Sequence, residues 1–350
     1  MPLKGFNQGK GTKDMRITRD TLLKLARNTT AERVYQNRQL ICVYLTGSLL
    51  MDEPLLGGTT DIDLIFVHSA SPEQSREIVR VTHQIHLDIA HYDQAVFQQP
   101  RHLRLDPWIG SFLCKDPVCL HDSGHWFEFT QAGVYAQFMR SENIIQRARP
   151  FAAEARQIWF ELLENPSNAG PQPVCRYLKA LERAANSIAM LSGTPLTERR
   201  FLLQFPERVA ALERPGLSAG LVDLFTADPL TEETWQMWLE QWGTSLKAAA
   251  RLDNVPARLS APRFFYYQSA IETLHSDHPE AALWILLRTW VSSILYAGDN
   301  PAFLESWQQA ARTLHLDESH FPERIKALDA YLDTVEETLD LWAQKNGVSA

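Results

Sequence analysis

The sequence predicts an α/β (α+β) domain with a small mixed sheet, followed by an all-α helical domain. Up to about residue 126, short apolar runs rich in β-branched residues alternate with breaks of Gly, Pro and Ser. From Phe127 onward the apolar residues recur at helical spacing and no strand pattern returns. The length, 350 residues with 45% hydrophobic and 22% charged side chains, is enough for two ordinary domains with a substantial core. The division falls near residue 130, giving domains of residues 1–130 and 131–350.

Residues 1–15, rich in Gly, Lys and Asn, read as a loose lead-in. Residues 18–38 have helical periodicity, with Leu22, Leu23, Leu25 and Ala26 able to form one face. Residues 41–46 read as a strand ended by Gly47, and 49–56 as a short turn or helix broken at Pro54 and Gly57. A second strand spans 61–67. Ser71-Pro72-Glu73 predicts a helix start, because Ser caps and Pro is tolerated at the first helical position; that helix would run to about residue 83. The third strand, 85–92, sets Ile85, Leu87 and Ile89 on one face and His86, Asp88 and Ala90 on the other. Residues 118–121 are also strand-like.

Helices are predicted at 131–149, 151–164, 174–191, 196–203, 232–252, 262–275, 279–296, 301–314 and 321–345. Pro-rich breaks fall at 165–173 and 253–262, and Gly193 is placed to end a helix before Thr194-Pro195 starts the next.

The chemistry concentrates in residues 41–68. Asp61 and Asp63 are two apart on a strand, so both carboxylates leave from the same face. Side by side among apolar residues they repel each other and are costly to desolvate. A metal cation removes that cost, and hard oxygen ligands suit Mg²⁺. Asp88, opposite the apolar face of its own strand, would be a third carboxylate. The Gly47-Ser48 turn, with a helix beginning there, would offer N–H groups and a hydroxyl to phosphate. Carboxylates that hold metal beside a phosphate cradle point to phosphoryl or nucleotidyl transfer.

Gly47-Ser48, twelve residues, Asp61-Ile62-Asp63-Leu64, then Asp88 in an apolar strand together resemble the DNA polymerase β-like nucleotidyltransferase superfamily. A minimal domain followed by helices is similar to the aminoglycoside nucleotidyltransferases within it. The motif covers about 45 residues and the fold analogy roughly the first 130. Thr60 stands where Ser is common in the family, and keeps the hydroxyl. The resemblance implies that Gly47, Ser48 and Thr60 contact the nucleotide and that Asp61, Asp63 and Asp88 are catalytic and hold two Mg²⁺ ions. Asp88 would also help deprotonate the acceptor hydroxyl. The implied reaction moves NMP from a nucleoside triphosphate, ATP by default, to a hydroxyl acceptor, releasing pyrophosphate. An aminoglycoside-like molecule is one acceptor; a protein hydroxyl or an RNA end would use the same residues. A non-catalytic module of the antitoxin type is the alternative from another class.

Other side chains read as structural. Cys114, Cys119, His121 and His125 do not have a familiar zinc spacing. His86 shares the parity of Asp88 and is the best histidine for proton transfer, against a packed or solvent role. Trp235, Trp238 and Trp242 have the spacing of a core stripe, Arg199-Arg200 of a solvated helix start, and residues 264–267 of packing between helices.

Charge narrows the partners. Residues 1–130 carry 14 Lys+Arg against 15 Asp+Glu, and residues 131–350 carry 20 against 27. An acidic second half disfavours a nucleic-acid backbone and suits a cationic small molecule; only residues 1–38, with nine basic and three acidic side chains, offer a nucleic acid anything. No run reaches the roughly 20 apolar residues of a membrane span. No apolar stretch follows the N-terminal lysines, and four cysteines are too few for a disulfide framework, so a cytoplasmic protein is expected.

Overall fold

The computed structural model describes residues 17–298 and 300–348; the lead-in expected at 1–15 lies outside the described residues. Thr18 opens the first helix, its hydroxyl accepting from the Thr21 N–H at 3.3 Å. Helix α1 (Arg19–Gln36) then lays Leu22 and Ala26 on the sheet. The sheet comprises β1 (Leu40–Thr46), β2 (Thr60–His68), β3 (Arg76–Arg80), β4 (Ile85–Asp93) and β5 (Val118–Asp122), in the order β3-β4-β2-β1-β5. Only β2 and β4 are parallel, so the sheet is mixed, as predicted. The two-residue alternation divides its faces. Val43, Leu45, Ile62, Leu64, Phe66, Leu87 and Ile89 meet α1. On the other face Cys42, Tyr44, Ile65 and Val67 pack under α2 (Pro100–Leu105), α3 (Ile109–Cys114) and α4 (Trp126–Phe138), through Leu103, Leu113, Val134 and Phe138.

The helix predicted to run from Ser71 to about residue 83 is instead strand β3. Its residues Ile78 and Val79, and Val81 after them, are β-branched, and Val79 and Val81, two apart, pack against the core on the α1 side. The Ser-Pro start signal is overridden by a hairpin closed by Thr82, whose hydroxyl accepts from the Gln84 and Ile85 N–H groups, both at 3.1 Å. This matters for the site, because β3 pairs antiparallel to β4 with Ile78 opposite Asp88. A strand register puts Arg76, Ile78 and Arg80 on the face that carries Asp88.

The helical part comprises α5 (Ser141–Leu163), α6 (Pro171–Ala189), α7 (Phe201–Ala210), α8 (Gly216–Asp223) and α9 (Glu232–Ala249). It continues with α10 (Arg263–Leu274), α11 (Pro279–Ala297), α12 (Pro301–Thr313) and α13 (Phe321–Lys345). Helix α11 is apolar all round because it is central, with Ala281 to Val291 buried. Its one guanidinium, Arg288, bonds Glu182 of α6 at 2.5 Å. Trp235, Trp238 and Trp242 form the buried stripe of α9, and the Trp242 indole donates to Thr289 of α11 at 2.8 Å. No helix among the described residues is long and apolar enough to cross a membrane.

Three further helices, α2, α3 and α8, are too short for periodicity to reveal. The helix predicted at 196–203 starts later, at Phe201, after a single 3₁₀ turn over Glu198–Arg200. Gly193 does not end the preceding helix, which stops at Ala189. The Arg208 guanidinium lies over the Gly193 Cα.

The two parts meet at the loop before β2. Leu56 enters the helical core, and a Cβ on Gly57 would fall on the Ser269 carbonyl of α10. The Thr59 hydroxyl lies 3.1 Å from the Ser269 hydroxyl. Gly57 and Gly58 both have positive φ, but nothing lies within 4 Å of a Cβ on Gly58. Alanine at either position costs about 1 kcal/mol for the backbone conformation. Only Gly57→Ala adds the collision, about 1–3 kcal/mol more. Urea denaturation of the two variants should show that difference; equal losses would mean the loop–α10 contact carries no weight.

Candidate functional site

The parallel pairing of β2 with β4 sets Asp63 opposite Asp88 and Asp61 opposite His86. Parallel neighbours present their side chains to the same face about 4.8 Å apart, so three carboxylates and one imidazole converge there. Asp61, Asp63 and Asp88 each offer an oxygen within 4.8 Å of the others. Asp61 and Asp88 are 4% and 5% exposed, and Asp63 is half-buried. Helices α2 to α4 cover the far end of this face; the helical part covers the end that carries the acids.

Three buried like charges must be answered by cations or protons, and both answers are present. Arg263, the first residue of α10, bonds Asp61 Oδ2 through Nη1 and Asp88 Oδ2 through Nη2. Arg76 of β3 grips Asp88 with two bonds, Nε to Oδ1 at 2.7 Å and Nη2 to Oδ2 at 2.6 Å. Asp63 has no cation of its own among the described residues. Burial, then the nearby Asp88 and Asp61 carboxylates, push its pKa up to about 8. A proton on Asp63 supplies the charge that two guanidiniums leave unmet.

His86 is 1% exposed, with its ring edge-on to Tyr266 of α10 at 6.2 Å. Burial, the leading cause, brings its pKa down to about 4, so it is neutral at pH 7. It is a packed histidine. Its Nδ1 and Asp61 Oδ1 lie 3.8 Å apart, and both are buried without a hydrogen-bond partner.

Gly47 follows β1, where Thr46 faces Asp63 in the register. Its φ is 81°, and a Cβ there would fall on the Asp63 carboxylate. Gly47 is thus required twice over, for conformation and for room. Ser48 opens a single 3₁₀ turn over Ser48–Leu50 rather than the expected helix. The Leu50 and Met51 N–H groups close that turn on the Gly47 and Ser48 carbonyls, at 3.2 and 3.0 Å. The Ser48 hydroxyl lies 3.4 Å from that of Thr60. Thr60 is fully buried and donates to the Pro54 carbonyl at 3.1 Å, so its hydroxyl ties down the loop between β1 and β2. Beyond Met51 a cleft of about 310 Å³ opens, with Lys115 and Arg208 in its lining.

The donor set fits a hard divalent cation. All three ligands are carboxylates, Asp61 Oδ1 has a free lone pair, and guanidinium charge is already drawn to the same oxygens. Among the described residues this is the one place where three or more His, Cys, Asp or Glu side chains gather at ligand spacing; Cys114, Cys119, His121 and His125 do not.

The solvated reading of Arg199-Arg200 is overturned. Arg199 is 6% exposed, donates from Nη1 to Thr59 Oγ1 at 2.8 Å and to the Tyr266 carbonyl at 3.0 Å, and lies over the Tyr266 ring at 3.5 Å. Arg200 donates to the Glu53 carbonyl at 2.7 Å. Carbonyls of the β1–β2 loop and α10 offset the desolvation of both. Of residues 264–267, Phe264 stacks on Trp242 and Tyr267 is buried, in line with packing, whereas Tyr266 abuts the acid cluster.

Sequence reasoning did not single out Arg76 or Arg263. The misread strand hid Arg76. Arg263 left a faint signal: a cation at the first position of a helix opposes the macrodipole unless an anion faces it. No model of a known protein family matches this chain, and no curated protein matches it.

The Asp63 shift has a sign that can be checked. Its folded pKa lies above the ordinary 3.8, so the folded chain keeps a proton that the unfolded chain releases. That contribution is complete below about pH 4 and is lost as pH rises toward about 8. Asp63→Asn lacks this titration. With EDTA present, its melting temperature relative to the native chain should climb between pH 5 and pH 8.5 and then level off. A difference independent of pH would contradict the raised pKa.

Proposed function

We propose that the protein is a metal-dependent nucleotidyltransferase that moves NMP from a nucleoside triphosphate to a hydroxyl acceptor. The observation that carries this reading is the convergence of the Asp61, Asp63 and Asp88 oxygens within 4.8 Å, directly beside the Gly47-Ser48 turn. The nucleotidyltransferase type of fold, to which the motif is similar, is part of the same proposal.

Asp61, Asp63 and Asp88 would hold Mg²⁺. Bound there, the ion would neutralise charge on the triphosphate and acidify the acceptor hydroxyl. The chain's own residues do the rest. Gly47, without a side chain, makes room for the Asp63 carboxylate, and the Ser48 hydroxyl would donate to a phosphate oxygen. Asp88 would accept the acceptor's proton, and neutral His86 lines the cluster with its Nδ1 3.8 Å from Asp61 Oδ1. The acceptor meets the helical part, whose acidic balance suits a cationic molecule such as an aminoglycoside.

A second reading is favoured by one observation, the pairing of Arg263 and Arg76 with the acids. On it, the cluster is an ion-pair lock between the two parts, in a chain that binds a partner without catalysis.

Incubation with each α-labelled NTP and Mg²⁺, with separate pools of aminoglycosides, RNA and protein, tests the first reading. Label should pass to one pool and fall about 10²–10³-fold in Asp61→Asn or Asp63→Asn. Label on RNA or protein alone would change the acceptor class. No transfer, with no melting shift from any Mg²⁺–NTP pair, would leave the lock standing.

A further inference from the structure

We propose that Arg263 is a built-in counter-ion that trades places with the metal, so that the ion loads well only together with a triphosphate. This rests on the metal reading above and adds a residue and an order of binding to it. The Arg263 guanidinium lies between Asp61 and Asp88 and uses Oδ2 of each. Asp88 Oδ2 already accepts from both Arg76 and Arg263, so its lone pairs are filled, and a divalent cation drawing on Oδ2 of Asp61 and Asp88 would have to displace the guanidinium that bonds the two. Loading therefore requires Arg263 to leave.

Three features mark its present seat as temporary. Arg263 Nε is buried without a partner, and so are Asp61 Oδ1 and His86 Nδ1 in the same cluster. Permanent buried networks satisfy their members, so three orphans in one cluster point to a partner still to come. The residue stands at the first position of α10, directly after Pro262 and the turn over Ala257–Leu259, so its seat depends on a helix end and not on the helix interior. Its charge sits at the positive end of the helix dipole, which is tolerable only while an anion faces it.

The same features say where it goes. A guanidinium that gives up two carboxylates needs another bidentate anion, and phosphate oxygens match its fork. A nucleoside triphosphate supplies them as the metal takes the carboxylates. Tyr266, whose ring lies 4.6 Å from the Arg263 guanidinium carbon and 3.5 Å from that of Arg199, gives the moving charge an aromatic rest. Metal without triphosphate would leave Arg263 displaced and unpaired, so it binds weakly.

The test uses the full chain, Mn²⁺ followed by its paramagnetic resonance, and α,β-methylene-ATP as a triphosphate that is not cleaved at the reacting bond. Arg263→Gln should bind Mn²⁺ alone at least tenfold more tightly than the native chain, and Mn²⁺ plus the analogue at least tenfold more weakly. Arg263→Lys, which keeps the charge without the fork, should fall between the two in both titrations and guards against a misfolded glutamine variant. Equal Mn²⁺ affinity in native and variant chains would leave the metal reading intact and overturn the exchange. Weaker binding of both probes would also overturn it, because Arg263 would then be supporting the site. Absence of Mn²⁺ binding in all three proteins, with or without the analogue, would remove the metal reading itself and the exchange with it.

Discussion

Mutual repulsion among Asp61, Asp63 and Asp88 governs how the two parts of this chain come together. The three sit on adjacent parallel strands with their side chains on one face, an oxygen of each within 4.8 Å of the others. A sheet face of that kind cannot be closed by an apolar helix. The helical part therefore approaches it with a guanidinium in front, Arg263, and the sheet's own edge contributes another, Arg76. Burial and the two neighbouring carboxylates push the Asp63 pKa up, which favours a proton on the one acid without a cation of its own.

The surroundings follow from that constraint. Gly47 is a glycine because Asp63 occupies the space of a side chain. Gly57 is one because α10 must come close enough for Arg263 to reach the acids. Arg199 fastens the same helix to the sheet by gripping Thr59 and Tyr266 together. The acid cluster and the docking of the helical part thus draw on one set of charges. A change in the position of α10 is a change in the electrostatics of the acids.

How much of this could be read beforehand differs from residue to residue. Asp61 and Asp63 were legible because the two-residue period of a strand is a local property, and Asp88 because its parity within β4 opposes that of Ile85, Leu87 and Ile89. The Trp stripe of α9 was legible for the corresponding reason in a helix. Arg76 was not, because a Ser-Pro-Glu start signal outweighed the β-branched residues after it, and only pairing with β4 decides between helix and strand. Arg199 read as solvated because desolvation is offset by carbonyls far away in sequence, at Thr59 and Tyr266.

By itself the sequence determined the mixed α/β character of the first part, the helical character of the second, and the three acids beside the Gly47-Ser48 turn. Periodicity, backbone freedom and the parity of each acid on its strand are local, carried by neighbours in the chain; the meeting of Asp88 with Asp61 and Asp63 needs the pairing of β2 with β4. Tertiary structure alone decided that Asp61 and Asp88 are bridged by a residue 202 and 175 positions further on. It also decided that burial and neighbouring carboxylates push the Asp63 pKa up and that burial brings the His86 pKa down. Charge acts through space, and what neutralises a buried carboxylate depends on which distant cation the packing brings to it.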